Sequence, residues 1–216
     1  MQRPERNLLS GDSLAFKTRG KANCRELWYD HCFDFQHSKD EYLNYLWLAN
    51  NQLTDILPLE VTANSFTIPD NNAMNRAAKR RSVVRMHLPK KNPYIKIVDT
   101  FVSNTYFDVV NLDTCNALDI KTLIDIGGLF SRKQIASRCL FFVTFSKWSM
   151  RNICYKRMPE YKRIASTAEE ASNEMKNIFK SFHFDSTELD GFPITYETGQ
   201  VKTGHMFSLG WELNKI

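Results

Sequence analysis

Hydrophobic and polar positions follow two different periods along this chain, and the changes of period divide it into elements. A basic, loosely patterned N-terminus runs to about Asn23. Ser38-Lys-Asp-Glu41 then has the form of a capping box, and Leu43, Leu46, Trp47, Asn50 and Leu53 recur at helical spacing. This predicts an amphipathic helix from Ser38 to about Ile56, ended by Pro58. Val61 to Ile68 is β-branched and aromatic and stops at Pro69-Asp70; Asn71 or Asn72 can then cap a helix with the body Ala73 to Arg81. Short strands are expected at Tyr94 to Val98 and Tyr106 to Leu112, and a helix from Asp119 to Ile126, broken by Gly127-Gly128. Leu140-Phe-Phe-Val-Thr-Phe145 is a continuous apolar run suited to a strand buried on both faces. Thr167 caps a helix to Phe182 with Glu169 and Glu170 in its first turn, and strands at Phe192 to Tyr196 and His205 to Glu212 close the chain. Strands alternating with helices predict an α/β fold: a mainly parallel sheet flanked by helices, with a C-terminal antiparallel hairpin. Residues 107–112 and 140–145 are its expected central neighbours. The same pattern divides the chain into a partly irregular N-terminal extension, 1–37, and a single α/β domain, 38–216.

Composition changes this picture little. The 216 residues are 43% hydrophobic and 25% charged, the balance of an ordinary globular chain large enough to fold without staples. No run approaches the length needed to span a bilayer, and the N-terminus lacks a signal-peptide core, so a cytoplasmic (intracellular) protein without membrane contact is expected. Five cysteines without a C-x-x-C argue against a disulfide scaffold or a zinc ribbon. Cys24, His31, Cys32 and His37 have no zinc-ligand spacing, and no metal is expected. P-loop, G-x-S-x-G and H-E-x-x-H patterns are absent.

Charge carries more. The net +5 conceals strong segregation: residues 71–98 hold eight basic side chains and no acidic one, and residues 131–164 hold nine against Glu160. A phosphate-binding face needs such a concentration, so a nucleic-acid partner is expected, with an acidic protein partner as the alternative. Arg76, Lys79, Arg80 and Arg81 on the predicted helix are the candidate phosphate contacts. Lys147, Trp148 and Arg151, which follow the apolar strand, can combine stacking on a base with phosphate contact.

From Phe66 onward the chain resembles the Rossmann-like S-adenosylmethionine-dependent methyltransferases. Phe66-Thr-Ile-Pro-Asp70 followed by a basic helix is similar to that family's second strand. Phe107-Asp-Val-Val-Asn-Leu-Asp113-Thr-Cys115 resembles its fourth strand, Leu140 to Ser146 its fifth, and the closing hairpin its reversed last strands. The resemblance implies S-adenosylmethionine as cofactor, with Asp70 on the ribose hydroxyls and Asn71 and Asp99 nearby. It places Asn111 and Asp113 at the active-site face, where they would orient an acceptor for methyl transfer. One feature departs from the family: the glycine-rich turn after its first strand has no counterpart, since only Gly11 and Gly20 precede Gly127. Glu26 to Phe35 is the segment available for that first strand. Two functions follow: a methyltransferase-like protein acting on or binding nucleic acid, or a non-catalytic nucleic-acid- or protein-binding module that keeps the fold.

Overall fold

Leu140-Phe-Phe-Val-Thr-Phe145 offers almost no polar surface to water, so both of its faces must be covered. The computed structural model describes residues 19–49, 53–85, 93–99, 106–114, 118–146, 164–197 and 205–216. In it the run lies in β5 (Ile135–Ser146), inside an eight-stranded sheet. The remaining elements in chain order are α1 (Arg19–Lys39), β1 (Leu43–Trp47), β2 (Ala63–Pro69), α2 (Ala73–Arg85), β3 (Tyr94–Val98), β4 (Phe107–Asp113), α3 (Ile120–Ser131), α4 (Ala168–Ser181), β6 (Phe184–Glu188), β7 (Ile194–Glu197) and β8 (His205–Lys215). The strand order is β3-β2-β1-β4-β5-β8-β6, with β7 also on β8. β1 to β5 are mutually parallel, and β8 runs antiparallel to β5, β6 and β7. The expected mainly parallel sheet with an antiparallel C-terminal part is therefore present, and β4 and β5 are neighbours from Val109↔Leu140 to Asp113↔Thr144.

Alternation along β4 and β5 divides the core in two. Val110, Leu112, Phe141 and Val143 point to the layer of α3 and α4, where Phe130 and Phe179 meet Phe141 at ring distances of 5.9 and 5.3 Å. Val109, Leu140 and Phe142 point to the opposite layer, covered by Cys24, Trp28, Cys32 and Phe35 of α1. Trp28, Trp47 and Trp211 are all buried, as core residues should be. α4 begins with the expected cap: Thr167 and Glu170 form a complete capping box.

Two expectations are corrected. The helix predicted from Ser38 to Ile56 is instead the end of α1, a turn and β1. Leu43, Tyr45, Leu46 and Trp47 are buried on both faces of the sheet, and an apolar run of that length satisfies either period. Ser38 does not cap a helix start; its hydroxyl donates to the Phe35 carbonyl at 2.8 Å in the last turn of α1, which Asp40 ends with a φ of 53°. Residues 26–35 are accordingly helix, not the first strand. Secondly, α3 continues through Gly127-Gly128 to Ser131, because Leu129 and Phe130 carry its apolar stripe beyond them. Burial of Phe130 against four aromatic rings outweighs the roughly 1 kcal/mol that each glycine costs a helix. β6 carries Asp185 and Glu188, and its exposed polar positions hide the strand period.

Among the described residues no helix is long and apolar enough to cross a membrane. Phe141→Ala should remove about 3–5 kcal/mol of unfolding free energy, because its ring fills the layer between sheet and α4. Thr195→Ala, on an exposed position of β7, should change stability by less than about 0.5 kcal/mol. Urea denaturation of both variants against the parent chain checks the contrast.

Candidate functional site

Open α/β sheets collect ligands outside the carboxyl ends of their parallel strands. Here those ends are Trp47, Pro69, Val98, Asp113 and Ser146. β4 supplies the chemistry at its last turn of pleat. Asn111 and Asp113 are two residues apart and so share a face, the one covered by α1. Asn111 is fully buried between its register partners Trp47 and Phe142, and neither Oδ1 nor Nδ2 of its amide has a hydrogen-bond partner. A buried unpaired amide costs about 1–3 kcal/mol, so the strand carries this group at a loss.

Asp113 is paired with the ammonium of Lys21, in the first turn of α1. The Lys21 side chain is only 4% exposed, and its ammonium lies 4.8 Å from the centre of the Trp28 ring and 5.7 Å from that of Tyr196. Gly20 makes the approach possible: a Cβ there would stand 2.4 Å from Cβ of Tyr196, closer than atoms can pack. Behind this pair a polar thread crosses the sheet. The Ser208 hydroxyl accepts from the Trp28 indole N–H at 3.3 Å and from the Thr144 hydroxyl at 3.0 Å. Burial raises the Cys24 thiol to a pKa of about 11, against the pull of the Lys21 charge. The same cause pushes the Cys32 and Cys139 thiols up, so all three stay protonated near neutral pH.

The end of β2 is a second charged centre. Asp70 accepts from the ammonium of Lys79 at 2.8 Å through one oxygen and from the Asn72 N–H at 2.9 Å through the other. Arg76 donates to the Asp70 carbonyl at 2.8 Å. Asn72, not Asn71, caps α2, accepting from the N–H groups of Met74 and Asn75. Asn71 and Asp99 are exposed beside it. The four basic residues expected on one outward face of α2 therefore divide: Arg76 and buried Lys79 turn to Asp70, while Arg80 and Arg81 face solvent. Lys147, Trp148, Arg151 and Cys115 lie outside the described residues.

The end of β1 is unlike the glycine turn of a cofactor cradle. Trp47 is buried and donates its indole N–H to Asp55 at 3.1 Å, and Leu48 and Ala49 follow it. The crossover to β2 carries only the 3-10 helix Leu57–Leu59, with no α-helix among its described residues. On the other face of the sheet, Leu48, Leu112, Thr114 and Thr122 help line a cavity of about 60 Å³. That is far below the roughly 300–1,000 Å³ of a typical ligand pocket. No three metal-ligating side chains converge among the described residues; His31 contacts the Asp190 carbonyl at 2.9 Å, and Cys24 and Cys32 are in the core.

Lys21 and Tyr196 are site residues that sequence spacing did not single out. Lys21 falls in a stretch without apolar period, and Tyr196 belongs to a hairpin distant in sequence; the only local sign is the glycine at position 20.

No family model matches the sequence, and no curated protein matches it either. Comparison of the folds is informative where sequence is not. The chain resembles N-methyltransferase NodS from Bradyrhizobium japonicum at TM-score 0.52 and 10% identity, over 93% of this chain and 99% of that one. It resembles M. jannaschii TYW2 in complex with AdoMet at TM-score 0.55 and 11% identity, over 92% and 78%. It also resembles magnesium protoporphyrin IX methyltransferase (ChlM) from Synechocystis with bound SAM at TM-score 0.58 and 12% identity, over 91% and 80%. The architecture is the Rossmann-like fold of S-adenosylmethionine-dependent methyltransferases.

Gly20→Ala should lift the first turn of α1 from Tyr196. In the parent chain Cys24 should resist iodoacetamide near neutral pH, since it is buried and its thiolate is disfavoured. In Gly20→Ala, Cys24 should label at least about tenfold faster while Cys139, in β5, stays protected. Residue-level mass spectrometry of the labelled protein reads both sites.

Proposed function

We propose that the chain is an S-adenosylmethionine-dependent methyltransferase-like protein that acts on or binds nucleic acid. The observation that carries this reading is the gathering of Asp70, Asn111 and Asp113 at the carboxyl ends of β2 and β4, in a sheet of this strand order. The donor set fits the cofactor at these two strands. Asp70, which also pairs with Lys79, would accept from the ribose hydroxyls. Asn71 and Asp99 would flank it. Asn111 has a buried amide with both polar atoms unspent, a fit for a bound polar group. S-adenosylmethionine would supply a methyl group carried on a positively charged sulfur. The part of this chain is positioning: Asn111 and Asp113 would fix the acceptor on the face beneath α1.

Arg80 and Arg81 are exposed on α2, which follows directly from the Asp70 end of β2, so phosphates bound there would lie beside the same edge. Lys147, Trp148 and Arg151 would add to that surface from the segment after β5. One observation favours the second reading, a non-catalytic nucleic-acid- or protein-binding module: Trp47-Leu48-Ala49 puts side chains where a cofactor cradle needs bare backbone.

Calorimetric titration separates the two. S-adenosylmethionine should bind, and Asp70→Ala should weaken that binding by about 1–3 kcal/mol, the cost of leaving hydroxyls unpaired. Absence of binding at millimolar cofactor selects the non-catalytic reading, and an unchanged affinity in Asp70→Ala removes Asp70 from the site.

Filter binding at several salt concentrations tests the partner. Affinity for nucleic acid should fall with a log–log slope of about −0.7 to −0.9 per neutralised phosphate, and Arg80→Ala/Arg81→Ala should flatten that slope. Trp148→Ala should instead cost about 1–3 kcal/mol at nearly constant slope if its ring stacks on a base. Salt-independent binding, or none to either DNA or RNA, would assign the basic face to an acidic protein partner or to solubility.

A further inference from the structure

The Lys21 ammonium is held in a way that a surface ion pair does not require. The Lys21 side chain is 4% exposed and that of Asp113, which it meets, 12%, so the pair is largely stripped of water. Desolvation on this scale is rarely recovered by the pair alone. The surroundings answer the remaining demands of an alkylammonium group one by one. Asp113 supplies the counter-charge. The rings of Trp28 and Tyr196, at 4.8 and 5.7 Å, supply the negative π-faces that a desolvated cation prefers. Asn111, on the same face two residues before Asp113, adds the second and independent sign: a fully buried amide with neither polar atom satisfied.

We infer that the face beneath the first turn of α1, formed by Asp113, Trp28, Tyr196 and Asn111, is a binding site for a primary alkylammonium group, and that Lys21 is its tethered occupant. This goes beyond the proposed function, since it assigns a cationic ligand class to the β4 end and does not need S-adenosylmethionine. The tether enters from a helix terminus, where only the first turn need fray to withdraw it. Gly20, pressed on Tyr196, is the residue that lets the occupant close the site. Withdrawal would leave a space with the length of a lysine side chain, a carboxylate at its end and aromatic walls. A free amine of the same shape would enter by the same contacts. The ligand is thus identified by its chemistry, an unbranched primary amine, whether on a lysine side chain or on an aliphatic polyamine.

The test is replacement of the tether by a free ligand in the full chain. Lys21→Ala is titrated with n-butylammonium chloride, with n-butanol and sodium chloride as matched controls, and followed by thermal midpoint and tryptophan fluorescence. Saturable stabilisation by n-butylammonium alone is expected, with no response in the parent chain. Lys21→Met, which fills the space without charge, should fold and ignore the amine. In Lys21→Ala/Asp113→Asn, amine affinity should fall by about tenfold or more. Nα-acetyl-lysine amide and spermidine, run as separate arms on Lys21→Ala, distinguish the two sources of the amine. The inference is overturned if Lys21→Ala ignores n-butylammonium, if n-butanol serves equally well, or if loss of Asp113 leaves the affinity unchanged. Should Lys21→Ala not fold in buffer, refolding is repeated with n-butylammonium present: recovery supports the site and its failure overturns it. A titration of the same variants with S-adenosylmethionine reports on the proposed function separately.

Discussion

Helix α1 is held along strand β4 by an ion pair at each end, and the site depends on that alignment. At the carboxyl end of the strand Lys21 meets Asp113; at the other, Lys39 meets Asp108 at 2.5 Å. Asp108 also accepts from the Asn44 N–H at 2.9 Å, so it ties α1 and β1 to β4 together. The helix rises about 27 Å between its two lysines, whereas Asp108 to Asp113 spans only about 17 Å of strand. The flexible lysine stems make up the difference by reaching inward from both ends. Between them, Cys24, Trp28, Cys32 and Phe35 cover the sheet, and the Trp28–Trp47 contact at 5.9 Å fixes the helix against the end of β1.

Much of this was legible in the sequence, and the failures have physical causes. The doubly apolar strands β4 and β5 and the capped helix α4 each combine several local signals that agree, and all three appear where they were expected. β1 did not, because Leu43-Asn-Tyr-Leu-Trp47 is too short and too uniformly apolar for its period to decide between helix and strand. α1 was invisible for the opposite reason: its apolar positions are spread among charged residues, and its place is fixed by ion pairs and tertiary contacts. Asp70, Asn111 and Asp113 were expected at the ends of strands, and they lie at the ends of β2 and β4. Their partners were not expected, because Lys79–Asp70 and Lys21–Asp113 join residues whose pairing no spacing rule gives.

The crossover between β1 and β2 is where this chain differs most from a cofactor-binding α/β unit. Such units place a glycine turn and a helix N-terminus beneath the phosphates or charged tail of their ligand. Here Trp47 and Asp55 close the same region with an indole–carboxylate bond, and Tyr29 of α1 donates to the Asp55 carbonyl at 3.0 Å. On β4, by contrast, the buried Asn111 amide has neither polar atom paired.

The place of β8 has a consequence for how the chain is made. This strand lies between β5 and the pair β6 and β7, yet it comes after all of them in sequence. During synthesis the hydrogen-bonding edge of β5 stays open until residues 205–215 have emerged, and that edge carries Leu140 to Phe145. A nascent chain stopped before residue 205 presents a long, flat, apolar strand with an unpaired ladder, the form most prone to pair with a neighbouring copy. A chain that lacks β8 would thus be an aggregating species rather than a shortened but soluble one.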